Sequence, residues 1–219
     1  MYQALSPSTL IRVVVAIGIA AVLLAWVVWT PETPFDYART ASLSVTAATI
    51  LIMILGGSPL WRLIWWACPF LNTWVFPNIS GDWVFTAESN IGEIARIHPG
   101  LSEGEVQSEA KGRVRIRQNL FAISLALDSD EDYSASDTLF VRPSRDDATR
   151  RFYITSVFRN RTPKPHASDE QLHFGAAHIE VIAWGARGKM KGIYWTNRNW
   201  QKGMNTAGTI ELTRSGRHR

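Results

Sequence analysis

Leu10-Ile-Arg-Val-Val-Val-Ala-Ile-Gly-Ile-Ala-Ala-Val-Leu-Leu-Ala-Trp-Val-Val-Trp29 holds a single charge, Arg12, near its start. At ~1.5 Å of rise per residue this run covers about 30 Å as a helix, the thickness of a bilayer's hydrocarbon core. It exceeds the roughly 7–15 apolar residues of a signal peptide. No basic segment precedes it, and Thr30-Pro31-Glu32 offers no small-residue cleavage site, so it is expected to remain as a span. A second apolar stretch, Ala41–Gly57, follows a loop expected over Thr30–Thr40. The chain thus divides into a transmembrane hairpin with a Trp-rich linker over residues 1–76 and a basic, β-rich domain over 77–219.

The loop between the spans carries Glu32, Asp36 and Arg39, while Lys and Arg accumulate after the second span. The positive-inside rule then puts the loop outside and both termini, with the domain, in the cytoplasm. Between span and domain, Trp61, Trp65, Trp66 and Trp74 surround Arg62. Indole rings favour the headgroup layer, so Ser58–Phe76 reads as an interfacial cuff. A continuation of the second helix to about Phe70, kinked at Pro59, fits the pattern equally well. The small and weakly polar residues Ser42, Ser44, Thr46, Ala47, Ala48 and Thr49 allow close helix approach, or reflect ordinary membrane composition.

After Pro77 the chain has 20 basic and 17 acidic residues, a net of +3 from 20 − 17. That excess suits a small anionic ligand or headgroup and is too small to argue for nucleic acid as a partner. Cys68 is the only cysteine, so the chain can form no internal disulfide and no cysteine-based metal site. Periodicity here is two. Trp83/Phe85, Arg113-Val-Arg-Ile-Arg117, Phe121/Ile123/Leu125/Leu127, Arg151–Phe158, His178–Trp184, Lys189–Asn197 and Thr209–Arg214 alternate. Turn signals at Pro99-Gly100, Asn119, Asp128–Asp132, Pro143–Asp147, Pro163–Asp169, Gly185–Gly188 and Gly203–Gly208 separate them. About eight short strands without an amphipathic helix predict an antiparallel sandwich or barrel. A closed eight-stranded barrel hides its edges and holds one small ligand. Trp83, just after the Gly81 turn, is expected to plug the barrel base.

The chain shows no phosphate loop of the Gly-x-x-x-x-Gly-Lys type, no His-Glu-x-x-His and no Gly-x-Ser-x-Gly, so no enzymatic activity is expected. His173 and His178 are five apart in a strand and face opposite sides, and the acidic run from Asp128 to Asp132 lacks the glycine and terminal glutamate of a calcium loop; no metal or cofactor is expected. Tyr194, Thr196 and Arg198 share one strand face. Aromatic ring, hydroxyl and guanidinium together suit a nucleotide, with the ring on a base and the fork on a phosphate. Tyr153 and His173 are further candidates from neighbouring strands. Against this, Tyr194 as a core aromatic and Arg198 as a surface charge fit the same pattern. Arg113, Arg115 and Arg117 form either an outward stripe or three costly inward charges.

The order of motifs resembles the SMODS-associated two-transmembrane, β-strand-rich effectors of bacterial CBASS antiphage defence. The resemblance runs through Pro77-Asn-Ile-Ser-Gly-Asp-Trp83, Val114-Arg-Ile-Arg-Gln118, Ser134-Ala-Ser-Asp-Thr-Leu139, Phe158-Arg-Asn160 with Pro163, His173-Phe-Gly-Ala176, Gly192-Ile-Tyr-Trp-Thr-Asn-Arg198 and Gly208-Thr-Ile-Glu-Leu212. It implies a cytoplasmic barrel on the bacterial inner membrane. That barrel binds a cyclic dinucleotide made by a partner nucleotidyltransferase of the CD-NTase type. The resemblance further implies homo-oligomerisation on binding, disruption of the lipid bilayer, and growth arrest of the infected cell. Where the family pattern has a Tyr-x-Tyr-x-Asn strand, this chain has Tyr153-Ile-Thr-Ser-Val-Phe158-Arg-Asn160. The other reading is a membrane-tethered, lipocalin-like carrier of an apolar ligand, which predicts an interior more apolar than Tyr194, Thr196, Arg198 and His173 suggest.

Overall fold

A computed structural model describes residues 1–98, 108–129, 134–165 and 170–216. The turn expected at Pro99-Gly100 and parts of those at Asp128–Asp132 and Pro163–Asp169 lie outside the described residues. The chain forms two units, Met1–Val75 with Asn119–Phe121, and Phe76–Gln118 with Ala122–Arg219.

The first unit is helical. Helix α1 (Pro7–Trp29) starts with proline at its first turn and Ser6 as cap, the Ser6 hydroxyl accepting the Thr9 N–H at 3.3 Å. Helix α2 (Pro34–Gly57) opens with a capping box, in which Thr33 and Asp36 exchange side-chain-to-backbone bonds, both at 3.2 Å. Both are long and apolar enough to cross a membrane. The cap at Thr33 starts α2 well before Ala41, so the connection is only Thr30–Thr33, shorter than the expected Thr30–Thr40. The hydroxyls of Ser44, Thr46 and Thr49 donate to carbonyls one turn back, at Thr40, Ser42 and Val45. Those hydroxyls are thus used within their own helix. Helix α2 ends at Gly57, before Ser58-Pro59, so it does not continue to Phe70. The cuff is nevertheless helical, as α3 (Trp61–Ala67) and α4 (Leu71–Trp74). Trp61 and Trp65 are buried edge to face at 5.4 Å, whereas Trp66 is exposed.

The second unit is a closed antiparallel barrel of eight strands in sequence order: β1 (Gly81–Ser89), β2 (Glu109–Gln118), β3 (Ile123–Ser129), β4 (Ala135–Arg145), β5 (Phe152–Arg161), β6 (Leu172–Ala183), β7 (Lys189–Thr196) and β8 (Ala207–Arg214), with β8 returning to β1. Alternation decides which side chains enter. On β2, Val114, Ile116 and Gln118 are buried while Arg113, Arg115 and Arg117 are exposed, so the arginines form the outward stripe.

Two local readings are corrected. Strand β4 runs through Pro143, which had read as a turn. The β3–β4 register covers only Ala126↔Asp137 to Asp128↔Ala135, so beyond it β4 has β5 alone as a partner and tolerates proline as an edge would. A short helix, α5 (Ile91–Ile97), stands where none was expected. It buries Ile91, Ile94 and Ala95, the i, i+3, i+4 face, with Ile91 and Ile94 clustering with Met204.

One end of the barrel is solid. Trp83 is fully buried, its indole N–H donates to the Ile79 carbonyl at 2.9 Å, and the Arg214 guanidinium lies 4.8 Å over its ring. Arg214 also donates to the Ser80 carbonyl at 2.7 Å. Gly188 is required there, because a Cβ would come within 2.5 Å of the Trp83 ring. The base plug expected at Trp83 is present.

Candidate functional site

The strand ends opposite this plug surround a cavity, and the register sorts the inward-facing positions of its wall into layers. Ser136, Asn160 and His173 sit side by side on β4, β5 and β6. One layer deeper, Thr138, Phe158, Gly175 and Thr196 run across β4 to β7. Below them lie Ser156, Ala177, Tyr194 and Gly208, and then the apolar Ile154, Ile179, Gly192 and Ile210. Hydroxyls and amides thus ring the upper cavity and aliphatic side chains floor it. Small residues at Gly175 and Ala177 leave the space open. A Cβ on Gly175 would collide with the Phe158 ring and come within 2.7 Å of the Trp195 carbonyl, so glycine lets that ring lie across β6.

Local bonds hold this wall. Asn160 Nδ2 donates to Ser136 Oγ at 2.8 Å. Thr138 Oγ1 accepts the Leu125 N–H at 3.0 Å and is 3.1 Å from the Leu125 carbonyl, standing in for a ladder rung where β3 and β4 part. The Thr196 and Thr206 hydroxyls meet at 2.7 Å, and Thr196 Oγ1 accepts the Arg198 N–H at 3.3 Å. At the rim, Asn90 bonds Ala207 through both backbone and side chain, which ties α5 to the start of β8.

Of the five residues singled out from sequence, Tyr194, Thr196, Arg198 and His173 all line this cavity. Tyr153 does not. It lies on the outer face, stacked on His178 with centroids 5.0 Å apart and planes 11° apart. Phe152 and Ile154 are buried on the same strand, so alternation turns Tyr153 out and Ser156, Phe158 and Asn160 in. Phe158 and Asn160, the ends of the Phe158-Arg-Asn160 motif, join the site beyond the five expected residues. The parity of Ile154 is the signal that would have found them. Ser136 and Thr138 lie in the quoted Ser134–Leu139 motif but outside the strands read from alternation, and Thr206, just before β8, carries no signal of its own.

Arg198 is the only Lys or Arg lining the cavity among the described residues, and no Asp or Glu does so. A low-dielectric pocket with one fixed cation and no carboxylate attracts an anion. Burial raises the Tyr194 phenol above its ordinary pKa, opposed by a hydrogen bond with Ser89 and by the Arg198 charge, so its ring faces the cavity neutral. No group of three or more His, Cys, Asp or Glu among the described residues could hold a metal ion.

A closed barrel with one solid end and a polar, cation-bearing cavity at the other is a small-molecule receptor by architecture. The sequence comparisons specify which kind. Residues 74–214 match the family described as "Cap15, cyclic dinucleotide receptor domain", and the chain belongs to that family. It is 30% identical over 176 residues to CD-NTase-associated protein 15 of Escherichia albertii, covering 80% of each chain. The CBASS resemblance and the barrel fold are therefore both borne out. The chain carries a CBASS-type cyclic dinucleotide receptor domain behind two apolar helices.

Proposed function

We propose that this protein is a membrane-anchored antiphage effector. A cyclic dinucleotide, supplied by a CD-NTase-type nucleotidyltransferase, enters the barrel and drives homo-oligomerisation of the spans. The assembled spans then disrupt the bacterial inner membrane and arrest the infected cell. The observation that carries this reading is the cavity's composition, the rings of Phe85, Phe158 and Tyr194, one guanidinium and a collar of hydroxyls, with no carboxylate among its described residues. Tyr194 and Phe158 offer rings for the two bases, and Arg198 faces the phosphates. His173 and Asn160 contact base or sugar edges at the upper layer, and Thr196, committed to Thr206, holds the Arg198 backbone. Tyr153 belongs to the outer wall. Both termini and the barrel face the cytoplasm, where such a ligand is made.

A thermal-shift screen of the full-length protein in detergent tests the ligand class, using cyclic dinucleotides built from A, G and U, with fatty acids alongside. Stabilisation by a cyclic dinucleotide and not by a fatty acid is expected, since binding only the folded state raises the melting temperature. The reverse pattern makes the protein a tethered carrier of apolar ligands. In cells, the full chain is expected to arrest growth only when the cyclic dinucleotide is made. Residues 77–219 alone are expected to fold, bind and be harmless.

A further inference from the structure

The outer wall of the barrel has two characters. On β1 and β2 its outward positions include Asp82, Glu88, Lys111, Arg113, Arg115 and Arg117. On the far side, the outward row Phe140–Val157–Ala176–Trp195 crosses β4 to β7 in register and contains no charge. Leu139, at the register shift beside Phe140, and Phe174 and Ile193 widen the row into a patch. Phe140, Ile193 and Trp195 are each about half exposed, at 53%, 54% and 47%. Aromatic enrichment with charge depletion is the composition of an interface core.

We propose that this face is where two copies of the barrel meet, each presenting the same patch, and that ligand in the cavity biases that pairing. The inference rests on the receptor reading above. Half-exposed Phe, Leu, Ile and Trp side chains each offer on the order of 90 Å², so the patch offers about 500 Å² per copy. A face-to-face pair hides about 1,000 Å², the lower edge for a specific interface. Such a contact is weak between free barrels. It becomes effective when short tethers hold both copies on one surface, where effective concentrations reach about millimolar. The β1–β2 wall is charged and complements this face poorly, so the pairing is like on like, and that makes the contact isologous. Two arginines flank the patch: Arg159 is held by Asp137 at 2.8 Å and Arg142, one outward row on, is exposed, so binding of this face to anionic lipid is the competing outcome of the test.

The strands explain how a ligand reaches this face. Ile193 and Trp195 alternate with the cavity residues Tyr194 and Thr196. Val157 lies between Ser156 and Phe158, and Leu139 follows Thr138. A ligand that repositions the inner side chains moves the backbone that carries the patch.

The test uses full-length protein in vesicles of phosphatidylethanolamine and phosphatidylglycerol, cross-linked through amines with and without cyclic dinucleotides built from A, G and U. Trp195→Asp and Phe140→Asp are expected to lower the cross-linked dimer roughly tenfold or more, because each buries an unpaired carboxylate at the contact. Both are expected to keep the wild-type ligand-induced thermal shift, which reports an intact, liganded barrel. Thr86→Asp, on the charged wall, is expected to change neither. Dimer persisting at the wild-type level in both patch variants, with ligand bound, overturns the proposal. If Trp195→Asp loses its thermal shift, Trp195→Ala and Ile193→Ala replace it under the same criterion. If no cyclic dinucleotide binds wild-type protein, the receptor reading fails by itself. The patch is then judged on the ligand-free dimer at high protein density, which the same variants must diminish or the proposal falls.

Discussion

Replacing Arg198 by alanine removes the one Lys or Arg among the described residues lining the cavity. A hydrogen bond to a charged group contributes about 1.5–3 kcal/mol. Taking about 2 kcal/mol, the dissociation constant for a cyclic dinucleotide rises roughly 30-fold. The thermal shift follows by mass action. At a ligand concentration of about 100 times the wild-type dissociation constant, binding stabilises the fold by about 2.7 kcal/mol, and the variant at the same concentration gains only about 0.9 kcal/mol. For a barrel of this size, at about 4 °C per kcal/mol, the ligand-induced shift falls from about 11 °C to about 4 °C. Calorimetry or dye-monitored melting of the full-length protein reads this directly. Arg198→Lys restores part of the shift, since it keeps the charge and loses the planar fork. An unchanged shift in Arg198→Ala would refute the placement of phosphate beside this guanidinium.

Gly188→Ala drives a methyl into the Trp83 ring and is expected to cost about 1–3 kcal/mol of folding stability, seen as a lower melting temperature without ligand. Gly175→Ala pushes against the Phe158 ring and the Trp195 carbonyl, so it is expected to weaken ligand binding by titration even where the barrel remains folded. The Asp146 carboxylate accepts the Thr149 and Ala148 N–H groups at 2.8 and 2.9 Å, and those bonds, Thr149 first, hold its pKa below the ordinary 3.8. Because the folded value is the lower one, this contribution is complete above the unfolded value and is lost as pH falls through the folded one. Melting temperatures measured between about pH 6 and 2 are expected to fall less steeply for Asp146→Asn, and identical acid limbs would exclude the turn as a source.

The sequence was legible wherever one physical rule acted alone. Twenty residues from Leu10 with one charge can hardly be anything but a long apolar helix, and only the caps at Ser6 and Thr33, which set its true ends and those of its partner, escaped the hydropathy argument. Strict alternation in Arg113–Arg117 placed the arginines on one face, and the buried Val114 and Ile116 then settle which face that is. The barrel itself was harder to read at β4. There Pro143 argues locally for a turn, while the splaying of β3 from β4 makes proline harmless, a relation between strands that no local window contains. The site was partly readable for a similar reason. Tyr194 and Thr196 share one parity on β7, and Arg198 reaches the cavity from the turn just beyond the strand, which alternation alone does not place, whereas the parity of Ile154 turns the Tyr153 ring outward.

The same parity rule limits what this barrel can do with a ligand. A rigid wall would bind a dinucleotide and report nothing, because a ligand shifts an equilibrium only by its differential affinity for two states. Moving a pairing equilibrium from about 1:99 to 99:1 needs a preference of about 10⁴ for the paired state, or roughly 5.5 kcal/mol. A few cavity hydrogen bonds cannot supply that differential while also supplying affinity. Under the proposed scheme the requirement is shared. Tethered spans raise the effective concentration, the uncharged row from Phe140 to Trp195 contributes a contact near the threshold of stability, and the ligand need tip only the remainder. The lining fits that division of labour. Its ligand-facing groups Tyr194, Phe158 and Thr138 lie on β7, β5 and β4, the strands that carry Trp195, Val157 and Phe140 on their backs. Its fixed groups, Trp83 and Arg214, are at the solid end, where movement would open the core and signal nothing.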